Sequence, residues 1–389
     1  MPWKETDVMN LRTQFVLRAL RGVEPFSELC QEFGISRKTG YKWKQRFFQQ
    51  GLDGLADQSR KPANSPSRVS EDAVCQIVKL RLAHPTWGPK KLRKVLARSD
   101  WSGEVPSEST FKRVLAKADL IPPRRRRRTC EQGQRIENRV TPEAPNDVWT
   151  IDFKGWWYTR DRARFEPLTV RDDFSRFLLC TQAAADSKTE TVQSQMRRVF
   201  ESYGLPKVIR SDNGPPFASS SAPLGLSRLS AWWLTMGIDL DRIKPGRPDQ
   251  NGGHERMHRD IAIELEGSAE ADRTRQQASL DVWRETFNNE RPHEAIGMQV
   301  PADLYQVSTR RYEPEEVELC YPAEHLVRKV RRHGGIRLRG MDVHISHALG
   351  GHHIGLEPLG PGRFSVWFCR LCLGELDQTV MKFKAAQTR

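Results

Sequence analysis

No stretch of this sequence approaches the ~20 consecutive apolar residues that a membrane-spanning helix requires. Lys4, Glu5 and Asp7 stand where a secretory leader would carry its apolar segment. These two absences argue against a membrane or secreted protein and for a cytoplasmic one. Cysteine is sparse as well. Its seven copies, an odd number, are scattered over positions 30, 75, 130, 180, 320, 369 and 372, which suits reduced thiols better than a disulfide scaffold. Cys369 and Cys372 are the only close pair. With no second pair to complete a zinc site, they are expected to be buried strand cysteines. No glycine-rich nucleotide fingerprint appears, so no nucleotide cofactor is expected.

Acidic residues are in deficit. Against 63 Lys and Arg stand 49 Asp and Glu, a net charge of +14 and a pI near 9.6. Such an excess favours polyanionic partners. The 389 residues suffice for two to four domains of about 100–200 residues each.

Residues 1–52 read as a helix-turn-helix domain. A first helix over about 7–21 has Leu11, Phe15 and Leu20 among its apolar positions. Phe26, Leu29, Cys30 and Phe33 then fall on one face of a second. Gly34 ends that helix and Ser36 caps a third, running from Arg37 to about Gln49. Gly40, Trp43 and Phe47 can face the core of this domain. Arg37, Lys38, Tyr41, Lys42 and Arg46 are left outward, as on a recognition helix in a major groove.

A polar linker over 53–68 leads to a second helix-turn-helix unit, residues 66–121, with Lys112, Arg113 and Lys117 on the outer face of its third helix. Residues 122–145 form a basic linker. Pro122 and Pro123 block helix continuation, and Arg124, Arg125, Arg126, Arg127 and Arg128 follow as an unbroken run. Five guanidinium groups there would lie along phosphates or in a minor groove.

Residues 146–305 have α/β character. Three consecutive β-like runs (about 147–158, 165–172 and 177–183) precede a helix over 187–203. A buried strand over 206–211, a Ser/Pro/Gly-rich stretch over 215–228, a short helix, a strand over 238–243 and two long helices follow. That order predicts a mixed sheet of the ribonuclease-H type. Residues 306–389 alternate short β-like runs, such as 337–345, 353–359 and 364–371, with glycine-rich turns. They predict a small all-β module, an SH3-like barrel.

Three carboxylates stand out within this frame. Asp152 ends the apolar Trp149-Thr150-Ile151, Asp212 follows Val208-Ile209 and precedes Asn213-Gly214, and Glu255 opens a helical pattern after Gly252-Gly253-His254. Two strand-borne aspartates and a helix-borne glutamate can converge into one hard-oxygen site for Mg²⁺ or Mn²⁺, and two such ions can cut and join phosphodiesters. Competing acids are less suited. Asp172 and Asp173 are adjacent and would point to opposite faces of a strand, Asp173-Phe174-Ser175 reads as a turn, Glu264 and Glu266 read as solvent-facing, and Asp249, in the loop before the helix, is only a fallback. Lys154 and Arg256 could touch phosphate or merely balance charge. His254 and His258 lie one helical turn apart, but an oxygen-preferring site argues against zinc there.

These three motifs, with the downstream Asn288-Asn289-Glu290-Arg291-Pro292-His293 and Pro301, resemble the integrase core of bacterial insertion-sequence transposases. Those enzymes belong to the Asp-Asp-Glu superfamily, which also includes retroviral integrases. The resemblance extends over most of residues 8–305, paired helix-turn-helix units included. It implies an integrase core with Asp152, Asp212 and Glu255 as catalytic metal ligands and two Mg²⁺ (or Mn²⁺) ions per site. Arg291 and His293 are further candidate DNA contacts, unless they simply end a helix. The implied partners are double-stranded DNA, as the element's terminal repeats and its target, and further copies of the chain assembled on it. The implied location is the bacterial nucleoid. Two departures are visible. The interval from Asp212 to Glu255 exceeds the superfamily's usual spacing, which implies an insertion around 215–228, and the His/Cys zinc domain of retroviral integrases is absent. The rivals are a catalytically silent DNA-binding regulator, which retention of all three acids argues against, and a nuclease that cuts without joining, which the sequence-specific front end argues against.

Overall fold

The computed structural model describes residues 7–57, 69–121, 140–243, 251–314 and 319–386. The chain forms two compact units, Met1–Arg68 and Val69–Arg389. Arg124 to Arg128 and Asp249 lie outside the described residues.

The first unit holds α1 (Val8–Arg21), α2 (Phe26–Glu32) and α3 (Arg37–Gln50). Asp7 caps α1, and the Ser36 hydroxyl accepts the Thr39 N–H at 3.2 Å to start α3. Phe15, Val16, Leu29, Cys30, Trp43 and Leu55 make the core. Leu11 and Leu20, expected inside, are exposed; the 3.6-residue period tilts the buried stripe of α1 onto Phe15 and Val16. A Cβ at Gly40 would lie 2.8 Å from Cys30 Sγ and from a Phe15 ring carbon, so glycine is what lets α3 approach its neighbours.

The second unit opens with α4 (Glu71–Ala83), α5 (Pro89–Arg98) and α6 (Glu108–Lys117) around Ile77, Trp87, Leu92, Leu96, Phe111 and Leu115. The Arg81 guanidinium is buried and donates to the Pro85, Trp87 and Leu120 carbonyls, tying the turn after α4 to the end of the bundle.

An α/β region follows. In chain order it holds β1 (Val148–Phe153), the hairpin β2 (Trp157–Tyr158) and β3 (Arg164–Phe165), β4 (Pro167–Asp172) and β5 (Leu178–Ala183). Then come α7 (Thr189–Tyr203), β6 (Val208–Ser211), α8 (Arg228–Thr235), β7 (Asp239–Arg242), α9 (Gly252–Glu264), α10 (Arg273–Asn289) and α11 (Pro301–Leu304). The sheet order is β5-β4-β1-β6-β7. Strands β4 and β5 run antiparallel to their neighbours, whereas β6 and β7 run parallel to β1. This is the mixed sheet expected. Trp149 and Ile151 of β1 pack with Val192, Met196 and Phe200 of α7. Because alternate strand residues face opposite ways, Thr150 and Asp152 face α9 instead. Trp157, Phe165 and Leu178 pack there against Met257, Ile261, Leu280, Trp283 and Phe287.

The C-terminal module comprises β8 (Leu326–Lys329), β9 (Gly335–Leu338), β10 (Met341–His344), β11 (His353–Gly360), β12 (Arg363–Phe368), β13 (Leu371–Asp377) and β14 (Lys382–Ala385). Five of these form an antiparallel sheet, β14-β13-β12-β11-β8, beside the β9–β10 hairpin. The expected run over 337–345 is in fact that hairpin, turning at Arg339 and Gly340, both at positive φ. The strands β8, β13 and β14 were not among the runs singled out in the sequence, and the strand pairing describes a small all-β module of one sheet and one hairpin. Cys369 sits in the β12–β13 turn and Cys372 on β13, both half-buried, so the expectation of two fully buried strand cysteines is corrected. Both are free thiols. Leu226, Ala231 and Leu234, from the stretch before α8 and from α8 itself, share one core with this sheet.

Candidate active site

The two aspartates come from adjacent parallel strands. Thr150 on β1 pairs with Arg210 on β6, and each aspartate lies two residues beyond its paired residue. The strands therefore bring Asp152 and Asp212 to the same level at the same end of the sheet. Past Asp212 the chain turns sharply. Gly214 N–H donates to Asp212 Oδ1 at 3.2 Å, and Asn213 Nδ2 donates to the Ile243 carbonyl beyond β7. A Cβ at Gly214 would stand 3.1 Å from Asp212 Oδ2. The Asn-Gly pair thus holds the carboxylate at the rim of the sheet.

Glu255 arrives on the first turn of α9, and its neighbours fix that turn. His254 is fully buried between Thr150 and Thr169. Thr169 Oγ1 lies 2.9 Å from the Asp152 carbonyl oxygen, which can only accept, so the hydroxyl proton goes there. The same oxygen then accepts from His254 Nε2 at 2.7 Å and His258 Nε2 at 2.8 Å. His254 Nδ1 lies 2.9 Å from the Thr150 hydroxyl, which is also 3.3 Å from the Arg171 carbonyl oxygen. Burial holds His254 well below its usual pKa and pushes His258 down to about 3. These are neutral histidines that clip α9 to the strand bearing Asp152. Gly253 admits this close approach, since a Cβ there would stand 2.6 Å from Arg171 Nη2 and 2.8 Å from Arg176 Nη1.

Electrostatics link the three acids. The Asp152 carboxyl is pushed up to about 7, first by burial, then by the charge of Asp212, and also by that of Glu255. Asp212 is raised too, by partial withdrawal from water. Nearby cations are engaged with other groups. Lys154 Nζ sits 3.1 Å from Glu266. Arg171, Arg176 and Arg210 all hold Asp173, at 2.9–3.0 Å, and Arg210 also holds Asp241 at 2.7 Å. Lys154 and Glu266 thus balance one another, which corrects the reading of Glu266 as merely solvent-facing. Asn251, just before α9, was missed by the sequence reading. It is buried and donates from Nδ2 to Asp152 Oδ2 at 3.4 Å; an Asn one residue before a helix looks like ordinary capping. Among the described residues, no group of three His, Cys, Asp or Glu side chains is gathered closely enough to hold a metal. The acids are electrostatic neighbours with hard oxygen donors, not a closed ligand cage.

The other expected site residues are placed as follows. Arg37, Lys38, Tyr41 and Lys42 are exposed on α3, and Arg46 is half-buried with its guanidinium 5.3 Å from the Trp43 ring centroid. Lys112 and Arg113 are exposed on α6. Arg291 is only 4% exposed. Its guanidinium lies 2.7 Å from Asp260 and 3.5 Å from Glu264, which leaves none of it at the surface for phosphate. His293 is half-buried on Phe287, and burial pushes it down to about 3. Both residues take the helix-ending, structural role. Glu264, expected in solvent, accepts from Trp283 Nε1 at 2.6 Å and from the Thr86 hydroxyl. It therefore joins α9 to the helical unit over 69–121. Arg98 Nη2, 3.0 Å from Asp303 Oδ1, and Trp87 beneath Arg291 extend that junction.

A five-stranded mixed sheet of this order, with two aspartates at the same end of adjacent inner strands and a glutamate on the helix packed across it, defines a ribonuclease-H-like integrase core. Comparison with known proteins agrees. Family models match as a helix-turn-helix domain (residues 11–63), a homeodomain-like domain (39–115), integrase core domains (142–248 and 236–301) and the C-terminal domain of IS481 family transposases (325–384). A 31.7 kDa protein of insertion element IS407 from Burkholderia multivorans is 28% identical over 61% of this chain and 82% of its own length. A 39.2 kDa protein of IS476 from Xanthomonas euvesicatoria is 27% identical over 65% of this chain and 70% of its own length. Among solved structures, the catalytic core of BIV integrase aligns at 20% identity with a TM-score of 0.31, over 41% of this chain and 93% of that one. The chain thus carries helix-turn-helix domains and an integrase core, its C-terminal residues match the C-terminal domain of IS481 family transposases, and it is similar to proteins of the insertion elements IS407 and IS476. Among the described residues, no helix is long and apolar enough to cross a membrane.

Proposed function

We propose that the protein is a DNA transposase that cuts the ends of its own element and joins them to target DNA at a site formed by Asp152, Asp212 and Glu255. The observation that carries this reading is the Asp152 carboxyl, raised to about 7 by burial and by the charges of Asp212 and Glu255. Carboxylates that repel one another in a half-buried cleft invite a divalent cation. Asp152, Asp212 and Glu255 would hold the ions through their carboxylate oxygens. Two Mg²⁺ (or Mn²⁺) ions bound there would activate the attacking oxygen and neutralise the leaving one. Water displaces the 3′-oxygen from phosphorus, leaving a 3′-hydroxyl on the element and a 5′-phosphate on the flank. That hydroxyl then attacks a target phosphodiester, and a target 3′-hydroxyl leaves. No covalent protein–DNA intermediate is needed.

The terminal repeats are read by α3 through Arg37, Lys38, Tyr41, Lys42 and Arg46, and by α6 through Lys112 and Arg113. The run from Arg124 to Arg128 would add phosphate contacts. Joining two ends calls for two bound ends, hence a homo-oligomer on DNA. The test is a labelled duplex ending in the element's own flanking repeat, incubated with Mg²⁺ or Mn²⁺ against EDTA. Metal-dependent nicking with a joined product is expected. Tight binding with no chemistry under either metal would favour a DNA-binding regulator, and nicking without joining a nuclease.

A further inference from the structure

The hairpin that follows Asp152 carries a feature the fold does not require. Trp157 on β2 anchors it, buried with Phe165 against α9 and α10. Its neighbours point the other way: Trp156 is 50% and Tyr158 55% exposed. The two rings meet edge to face at 5.1 Å. The Arg164 guanidinium stands 5.3 Å from the Trp156 ring centroid and is held in place by Glu166 at 2.6 Å. The hairpin is braced. Arg160 N–H donates to the Glu270 carbonyl at 2.9 Å, Asp161 N–H to that of Ala271 at 3.1 Å, and Arg160 Nε to that of Ala269 at 2.8 Å. Two large aromatic rings are thus held rigidly in water, with exposed Arg160 and Arg162 at the tip.

We propose that Trp156, Tyr158 and Arg164 form a stacking platform for an unpaired DNA base beside the scissile phosphate, a proposal that rests on the transposase reading above. Exposed rings with one guanidinium beside them match the two halves of a nucleotide, a base to stack and a phosphate to neutralise. Position agrees. Trp156 is four residues past Asp152, a reach of at most about 14 Å along the chain, or roughly four nucleotide steps. A base unstacked near the cut would find the platform already formed. Stacking tolerates any base, so the platform adds grip at the cut end without adding sequence preference.

The test uses the full chain and a short single-stranded oligodeoxynucleotide carrying 2-aminopurine, beside a blunt duplex of the same sequence. The wild type is expected to quench the probe. Trp156→Ala and Tyr158→Ala should weaken oligonucleotide binding about 5- to 100-fold and remove the quench, with duplex affinity and melting temperature unchanged. Trp156→Phe should restore most of both. Unchanged affinity and quenching in the alanine variants would overturn the platform. So would a change in oligomer mass with DNA binding intact, which would make the patch a contact between protein chains. Nicking of a labelled element end, run in parallel, separates the two readings. A nicking enzyme indifferent to Trp156 loses only the platform, and a Trp156-dependent quench in a protein that never nicks loses only the transposase.

Discussion

Asp152 carries the stability cost of the site. Its folded pKa of about 7 stands above the ~3.9 of an unfolded Asp. Between those values the folded, metal-free protein holds a proton that the unfolded chain has released. The stability that this one group contributes is therefore fully present below about pH 4 and is lost as pH rises through about 7. Asn cannot take that charge. Asp152→Asn should raise the melting temperature of the metal-free protein at pH 8, by roughly 2–4 °C per kcal/mol relieved, and leave it little changed at pH 4. The same variant should lose cleavage by 100-fold or more while still binding ends. Scanning fluorimetry at the two pH values checks the first half, and equal shifts at both would contradict it. Asp173 presents the opposite case. It is 5% exposed and holds three guanidinium groups, so Asp173→Asn removes a carboxylate that Arg171, Arg176 and Arg210 share and should cost about 3–5 kcal/mol in a denaturant titration. The sequence reading of Asp173-Phe174-Ser175 as a turn is met, and Asp172 closes it by accepting Ser175 N–H at 2.7 Å. The cage was not legible, because Arg210 reaches Asp173, and Asp241 reaches Arg210, only through sheet pairing.

At the scale of elements, Gly252-Gly253-His254-Glu255 works as a fitted start to α9. Gly253 clears the guanidinium groups, His254 binds two strand hydroxyls, and Glu255 is left facing the cleft. Gly253→Ala must displace Arg171 or tilt α9. We expect a loss of about 1–3 kcal/mol and at least a tenfold slower cleavage with duplex binding unchanged; wild-type cleavage would show that α9 tolerates the shift. What was legible follows from period and capping. Ser36 and Ser70 start helices where a serine precedes an apolar stripe, and the alternation in β1 separates Trp149 and Ile151 from Asp152. What was not legible depended on distant partners. Arg291 looks like a surface cation until Asp260 and Glu264, a helix away, surround it. The β9–β10 turn is hidden because Arg339, a poor turn residue, takes a positive φ of 48°.

At the scale of the whole second unit, the long interval between Asp212 and Glu255 has a structural use. The stretch after Asp212 folds back on itself, with Ala218 bridged to Leu226. It delivers Leu224 and Leu226 to the core of the C-terminal sheet, while α8 adds Ala231 and Leu234. The catalytic region and the IS481-type domain therefore share one apolar interior. A fragment of residues 140–314 should expose those side chains, bind a hydrophobic dye and self-associate, whereas residues 140–389 should not; a soluble, dye-silent short fragment would mean that the two regions fold independently.

The central claim is that Asp152, Asp212 and Glu255 act as one site. Single-turnover cleavage of a labelled element end by the wild type and by Asp152→Asn, Asp212→Asn and Glu255→Gln tests it most directly, with end binding measured alongside. The account predicts that all three variants bind normally and that none cuts above about one hundredth of the wild-type rate, because removing any one ligand disables the same chemistry. Cleavage at the wild-type rate by any one of them, Glu255→Gln above all, would contradict it.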